Sequence, residues 1–181
     1  EFGQPLGKWN VSKVTNMKMM FSRAWSFNQP IGAWDTSKVT SMTWMFQNAK
    51  VFNQEIGHWD TSHVTGMQGM FQEAFAFNQT IEYWDVSKVT IMQDMFNGAK
   101  SFNQPIGNWD VSKVMRMYTM FKDAQSFNQD ISMWHLNSVR NCDRPHQQVF
   151  LNCYVMKNNH KPYMFQIRNE PPPPKSRCNI S

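Results

Sequence analysis

FNQPIGAWDTSKVTSMTWMFQNAKV, residues 27–51, stacks without insertion on FNQEIGHWDTSHVTGMQGMFQEAFA, residues 52–76. The 25-residue spacing continues through Phe77 and Phe102, reaches back to Phe2, and starts a sixth unit at Phe127 whose pattern ends near Cys142. Self-similarity at a fixed period marks a repeat architecture, and five full units with a partial sixth exceed the roughly three that a stable stack needs. The chain therefore divides into a repeat body, residues 1–142, and an irregular tail, residues 143–181.

Alignment of the units turns the sequence into columns. Trp9, Trp34, Trp59, Trp84, Trp109 and Trp134 form one, and Val14, Val39, Val64, Val89, Val114 and Val139 another. Met-Phe pairs recur at Met20-Phe21, Met45-Phe46, Met70-Phe71, Met95-Phe96 and Met120-Phe121, beside an Ile column from Ile31 to Ile131. Stacked coils place equivalent side chains on top of one another, so each apolar column becomes a ribbon of core. This demand accounts for 15 Met, 14 Phe and 8 Trp among 181 residues.

Local periodicity assigns the parts of each coil. Met42, Met45, Phe46 and Ala49 fall at i, i+3, i+4 and i+7, which predicts about two turns of helix with Thr40 or Ser41 as N-cap. Phe52, Gln54 and Ile56 alternate with Asn53 and Glu55, which predicts a short strand. Glycines at 7, 32, 57 and 107 and prolines at 5, 30 and 105 break the chain beyond it. The expected fold is an α/β, leucine-rich-repeat-like solenoid with one short strand and one short helix per 25-residue coil.

Coil spacing decides which polar columns can be buried. Like charges about 5 Å apart repel strongly in a dry interior, so Lys13, Lys38, Lys88 and Lys113, with His63 in their column, and Asp35, Asp60, Asp85 and Asp110 must face solvent. The uncharged column Asn28, Asn53, Asn78, Asn103 and Asn128 can be buried if its amides bond to backbone, and it is expected to form an asparagine ladder.

The charge of +5 does not describe the repeat body. Residues 1–142 hold twelve Lys and Arg against eleven Asp and Glu, while residues 143–181 hold six against two. A near-neutral body argues against nucleic acid as partner. Cys142, Cys153 and Cys178 make no paired spacing and no disulfide framework. No apolar run approaches the ~18 residues of a membrane span. Because the chain opens on Glu1, partway through a repeat, a fragment of a longer protein is expected.

No metalloprotease, nucleophile-elbow, phosphate-loop or dinucleotide motif is present, so neither enzyme activity nor a cofactor is expected. The Asp column could gather oxygen ligands for Ca²⁺, but Asp two residues before Ser is a good local turn cap, and no metal is expected. Sequons stand at Asn10, Asn78 and Asn179, and ladder membership argues against modification of Asn78.

Together these residues resemble the BspA-type leucine-rich-repeat surface proteins and the related repeat of unknown function in mycoplasma lipoproteins and some algal proteins. The signature FNQxIxxWDVSxVTxMxxMFxxA reads FNQPIGNWDVSKVMRMYTMF at residues 102–121, with Met115 in place of Thr. The first and last units depart from it, with Gly3 and Asn10 in place of Asn and Asp and His135 in place of Asp. The resemblance implies a leucine-rich-repeat-like fold, cell-surface or secreted placement, and adhesion to proteins or cells. It implies no catalytic residue and covers residues 2 to about 142.

Columns that change from unit to unit are free for recognition. One reads Lys8, Ala33, His58, Tyr83, Asn108, Met133, and another Met19, Trp44, Gly69, Asp94, Thr119. Trp44 and Tyr83 are the candidate partner-binding residues, because aromatic anchors dominate interface energetics. In the tail, Val149, Phe150, Tyr154 and Phe165 can cap the open last coil, and Pro171 to Pro174 favour a polyproline spacer. The expected function is binding of a protein or cell-surface ligand; the alternative is a structural spacer or stalk without its own ligand.

Overall fold

Two rows of hydrogen bonds hold each 25-residue coil to the next in the computed structural model, which describes residues 5–136, 138–139 and 148–162. Asn16, Ser41, Gly66, Ile91 and Arg116 form a line of parallel bridges, one per coil. From there the backbone sends every second N–H outward: Met42, Trp44, Phe46 and Asn48 donate to the carbonyls of Gly66, Gln68, Met70 and Gln72 at 2.7–3.1 Å. The residues between them, Met45, Gln47 and Ala49, donate three residues back to Met42, Trp44 and Phe46. Further turns close at Ala49/Phe52, Ile56/Trp59 and Thr61/Val64, so the coil is built of successive β-turns.

This overturns the expected α/β solenoid. Residues 42–49 are turns rather than a helix, and residues 52–56 form no strand. Among the described residues the only helical segments are the single 3-10 turns Leu6–Lys8 and Asn158–His160. The reason is spacing. Packed α-helices need about 8–10 Å between axes, whereas bridged backbones lie about 5 Å apart. Successive rings in the Phe46 column stand 5.6–5.7 Å apart, and those in the Trp34 column 6.3–6.5 Å. Neither side of the coil leaves room for a helix per turn of the stack. The i, i+3, i+4, i+7 pattern was nevertheless a sound guide to burial, since Met42, Met45, Phe46 and Ala49 are all fully buried. Nor does Thr40 cap a helix: its hydroxyl and N–H both donate to the Thr15 carbonyl, as Thr65 does to Thr40 and Thr90 to Thr65.

The core is a set of aromatic ribbons. Phe46 and Phe52 stack at 3.9 Å within one layer, and each repeats across the layers with ring planes within about ten degrees. Equal side chains in equal environments adopt the same rotamer, which yields the offset stacking that aromatic quadrupoles favour. Each buried indole Nε1–H crosses to the coil before it: Trp34 donates to the Leu6 carbonyl, and Trp59, Trp84, Trp109 and Trp134 to those of Ile31, Ile56, Ile81 and Ile106, at 3.0–3.2 Å. A Cβ on Gly32 would come within 2.3 Å of the Glu55 carbonyl oxygen, and Gly7, Gly57 and Gly107 are in the same position. At these four positions the missing side chain gives the neighbouring carbonyl room, although Glu82 and Ser132 fill the same column in two other coils.

After Val139 the register resumes with a longer spacing. Phe121 and Asp123 donate to Val149 and Leu151, the pattern that Phe96 and Gly98 make with Met120 and Lys122. Phe150 stacks on Phe121 at 5.6 Å, and Val149, Cys153 and Met156 fill the Met, Ala and Phe columns as buried residues. The separation is 29 residues rather than 25, so four extra residues precede this closing half-coil. Burial pushes the Cys153 thiol up to about 11, where the reactive thiolate is scarce. Cys142, Cys178, Phe165, Asn179 and prolines 171–174 lie outside the described residues.

Replacing Trp84 by Ala is expected to cost about 3–5 kcal/mol, and by Phe about 1–3 kcal/mol, because the Ile56 carbonyl then loses its buried donor. Lys88→Ala is expected to stay within about 0.5 kcal/mol. Urea midpoints of the three variants give the comparison; equal losses for Trp84→Ala and Lys88→Ala would invert the assignment of inside and outside.

Candidate binding surface

The polar columns of the repeat are mostly consumed by the stack. Asn28 Oδ1 accepts the N–H of Asn53, and Asn53, Asn78 and Asn103 repeat this bond to Asn78, Asn103 and Asn128, each at 2.9 Å. Gln54, Gln79, Gln104 and Gln129 donate Nε2 to the same oxygens, and Lys157 N–H extends the line to Asn128. The asparagines are half-buried, with Asn28 exposed, so this ladder runs along the rim of the core.

The Asp column is engaged locally. Ser37 donates both its hydroxyl and its N–H to Asp35, and Ser62, Ser87 and Ser112 donate their N–H groups to Asp60, Asp85 and Asp110. The serine hydroxyl first, and then the backbone N–H, hold these carboxyls below the ordinary value of 3.8, as they do for Asp130 beside Ser132. Among the described residues no three His, Cys, Asp or Glu side chains gather as a metal site.

Trp44 and Tyr83 are not brought together. Tyr83 is 83% exposed, in a column whose other members, Lys8, Ala33, His58, Asn108 and Met133, are exposed too. Beside it, Pro30, Ala33, Gln54, Glu55, His58 and Gln79 line a half-open depression of ≈ 540 Å³. Ala33 and His58 hold the position of Tyr83 in the two coils before it, but the phenol does not line that depression.

Trp44 is half-buried, and its column shares one backbone conformation. Met19, Trp44, Gly69, Asp94 and Thr119 have φ of 54–59°, and Arg23, Asn48, Glu73, Gly98, Asp123 and Asn152 form a second left-handed column. Left-handed backbone costs an L-residue about 1–2 kcal/mol, and it is the third-residue conformation that a type II turn requires. The Trp44 ring lies over Gly69, where a Cβ would come within 2.3 Å of Cδ1, and the Lys18 ammonium sits 5.2 Å from the ring. Small size at position 69 thus makes space for the indole of the coil before.

Another column, exposed at Trp25, Lys50 and Lys100 and half-buried at Phe75, escaped the sequence reading. Trp25, Lys50, Phe75 and Lys100 alternate ring and cation, with Lys50 5.9 Å from the Trp25 ring and 5.5 Å from Phe75, and Lys100 4.5 Å from Phe75. Trp25 is 62% exposed. Its signal was present in the 25-residue alignment as an aromatic-lysine alternation.

A stack of turn-built coils with aromatic ribbons inside and variable columns outside defines a repeat protein. The chain matches the family described as mycoplasma proteins of unknown function, DUF285, over residues 1–65 and 51–163, and it belongs to that family. The match extends past Cys142 to the closing half-coil. Neither the curated proteins nor the solved structures provided a match.

Gly69→Ala is expected to lower the melting temperature in the native background and much less in Trp44→Ala, because the clash disappears and only the ~1–2 kcal/mol of left-handed strain remains. Equal losses in both backgrounds would mean that the indole does not occupy the Gly69 space.

The depressed carboxyls give a pH dependence. They stabilise the fold where they are ionised, above their unfolded value near 4, and this contribution is lost as pH falls through the lower folded values. Thermal melts between pH 3 and 7 should show a loss confined to the region below about 4, smaller in Ser37→Ala/Ser62→Ala; an undiminished loss would remove the serines as its source.

Proposed function

We propose that this chain is a non-enzymatic repeat module, on a cell surface or secreted, that binds a protein or cell-surface ligand through the exposed column around Tyr83. The observation that carries the reading is Tyr83 itself, 83% exposed in a column whose members are exposed in every coil. A large aromatic ring held on a rigid stack loses little conformational freedom on binding, which is why such residues act as interface anchors. The resemblance of the FNQPIGNWDVSKV pattern to BspA-type surface proteins supports the surface placement and the adhesive role.

Other features agree. The polar groups of the Asn, Gln, Thr and Trp columns are used between coils, and the Asp column is used within turns, which leaves the variable columns as the free chemistry of the surface.

Purified chain should bind immobilised extracellular-matrix proteins or whole cells saturably, and Tyr83→Ala should weaken that binding about tenfold or more, as for a hot-spot residue. Absence of saturable binding by a folded chain would favour the spacer or stalk.

A further inference from the structure

The first coil presents to solvent what every later coil presents to its neighbour. Trp9 is 55% and Met20 39% exposed, whereas their counterparts Trp34 and Met45, and those of the later coils, are buried. Val14, Phe21 and Ala24 are only partly buried, where Val39, Phe46 and Ala49 are fully so. All five belong to the inner columns, so it is the flat end of the core that lies open. Its polar groups are open in a fixed order. The carbonyls of Ser41, Thr43, Met45 and Gln47 accept N–H groups from the first coil, and the matching carbonyls of Asn16, Lys18, Met20 and Ser22 accept none among the described residues. Thr40 and Trp34 donate to the coil before them, and the Thr15 N–H and Trp9 Nε1–H have no such acceptor among the described residues. The opposite end is closed: the N–H groups of Phe121 and Asp123 reach Val149 and Leu151, and Val149, Cys153 and Met156 are buried.

An occupant of this face must cover Trp9, Met20 and Phe21, donate an N–H at every second residue of a four-carbonyl row, and accept from Thr15 and Trp9 beside it. We propose that this end of the stack takes a further coil of the same repeat, carried in register ahead of Phe2, whose N–H face meets the first coil as the first meets the second. Met17, Met19, Phe21 and Arg23 show how such a coil aims its N–H groups, and the carbonyls of Thr15 and Leu6 show its two acceptors. Other occupants meet the row badly. An extended strand alternates N–H and C=O along its edge, so half of its groups would oppose carbonyl to carbonyl. Two copies joined through this face would do the same, and the far end of a second copy has its Phe121 and Asp123 N–H groups taken by its own closing half-coil. A bilayer covers the apolar surface but offers the four carbonyls no donor, which is costly. A lone coil cannot bury its face by itself, so it must arrive joined to the chain, where its effective concentration is high.

This face shares no residue with Tyr83 or the depression near it, so binding through Tyr83 can fail without touching it. The test is peroxide footprinting of the full chain beside a chain with a copy of residues 52–76 inserted between Glu1 and Phe2, read at each methionine by mass spectrometry. Oxidation to the sulfoxide makes a methionine polar and follows its exposure. In the native chain Met20 should oxidise at about the rate of Met19, which is exposed as well, and well ahead of the buried Met45. In the extended chain Met20 should fall to about the rate of Met45, Met19 should keep its own, and the melting temperature should rise. A Gly-Ser insert of equal length should leave Met20 as reactive as in the native chain. A copy of residues 77–101 should protect as the first insert does, which separates the failure of one insert from the failure of the face. The proposal is overturned if neither copied coil protects Met20, if the Gly-Ser insert protects it equally, or if Met20 of the native chain is already as slow as Met45. Protection that grows with the concentration of native chain would assign the face to a second copy instead, and protection by anionic vesicles would assign it to a bilayer.

Discussion

The hydrogen bond from one coil to the next is the constraint on which the rest of the structure depends. Once Met42, Trp44, Phe46 and Asn48 donate to the following coil, the spacing of layers is that of bridged backbones, about 5 Å, and every other feature must comply. Helices are excluded because they are too wide. Left-handed residues follow, because the turns that aim alternate N–H groups outward need positive φ at two positions per coil. Aromatic ribbons follow as well, since flat rings fill a layer of this thickness without voids, and close packing is what makes a core cohesive.

Satisfying polar groups across that spacing explains the invariant polar columns. Each asparagine oxygen accepts a backbone N–H from the next coil, each indole reaches back to a carbonyl, and threonine hydroxyls double the backbone bond at their edge. A buried or half-buried group left unpaired costs more than a made bond contributes, so a residue in these columns is held in place by its neighbours on both sides. Columns that vary make such bonds only in particular coils, as the Thr119 hydroxyl does to Asp94 and Gln93 to the Tyr118 hydroxyl. Exposed side chains gather along two columns, one around Tyr83 and one along Trp25, Lys50 and Lys100.

Much of this is legible in the amino-acid sequence. The 25-residue period, the buried identities of Trp34, Val39, Met42, Met45, Phe46 and Ile56, and the solvent position of the Asp and Lys columns all follow from repetition and from the cost of stacking like charges. The helix and strand did not survive, for one reason. Periodicity reports which side chains share a face, and a run of turns with alternate residues pointing inward can bury the same positions as two turns of helix. The left-handed backbone of the Trp44 column and the packing of Trp44 on Gly69 of the next coil have no signal in the alignment. The half-coil of Val149, Phe150, Cys153 and Met156 was hidden by a shift of four residues, which breaks a fixed spacing without breaking the stack.

The amino-acid sequence by itself determined the repeat, its length, and which residues face in or out, because those depend only on which side chains recur at each position. The tertiary structure decided where the backbone N–H groups go, and with them the absence of helix, the left-handed positions, and the alignment of Lys50 and Lys100 with the rings beside them. Hydrogen bonds between coils are non-local and every residue type but proline can donate them, so no residue pattern announces them; they exist only when one coil lies on another.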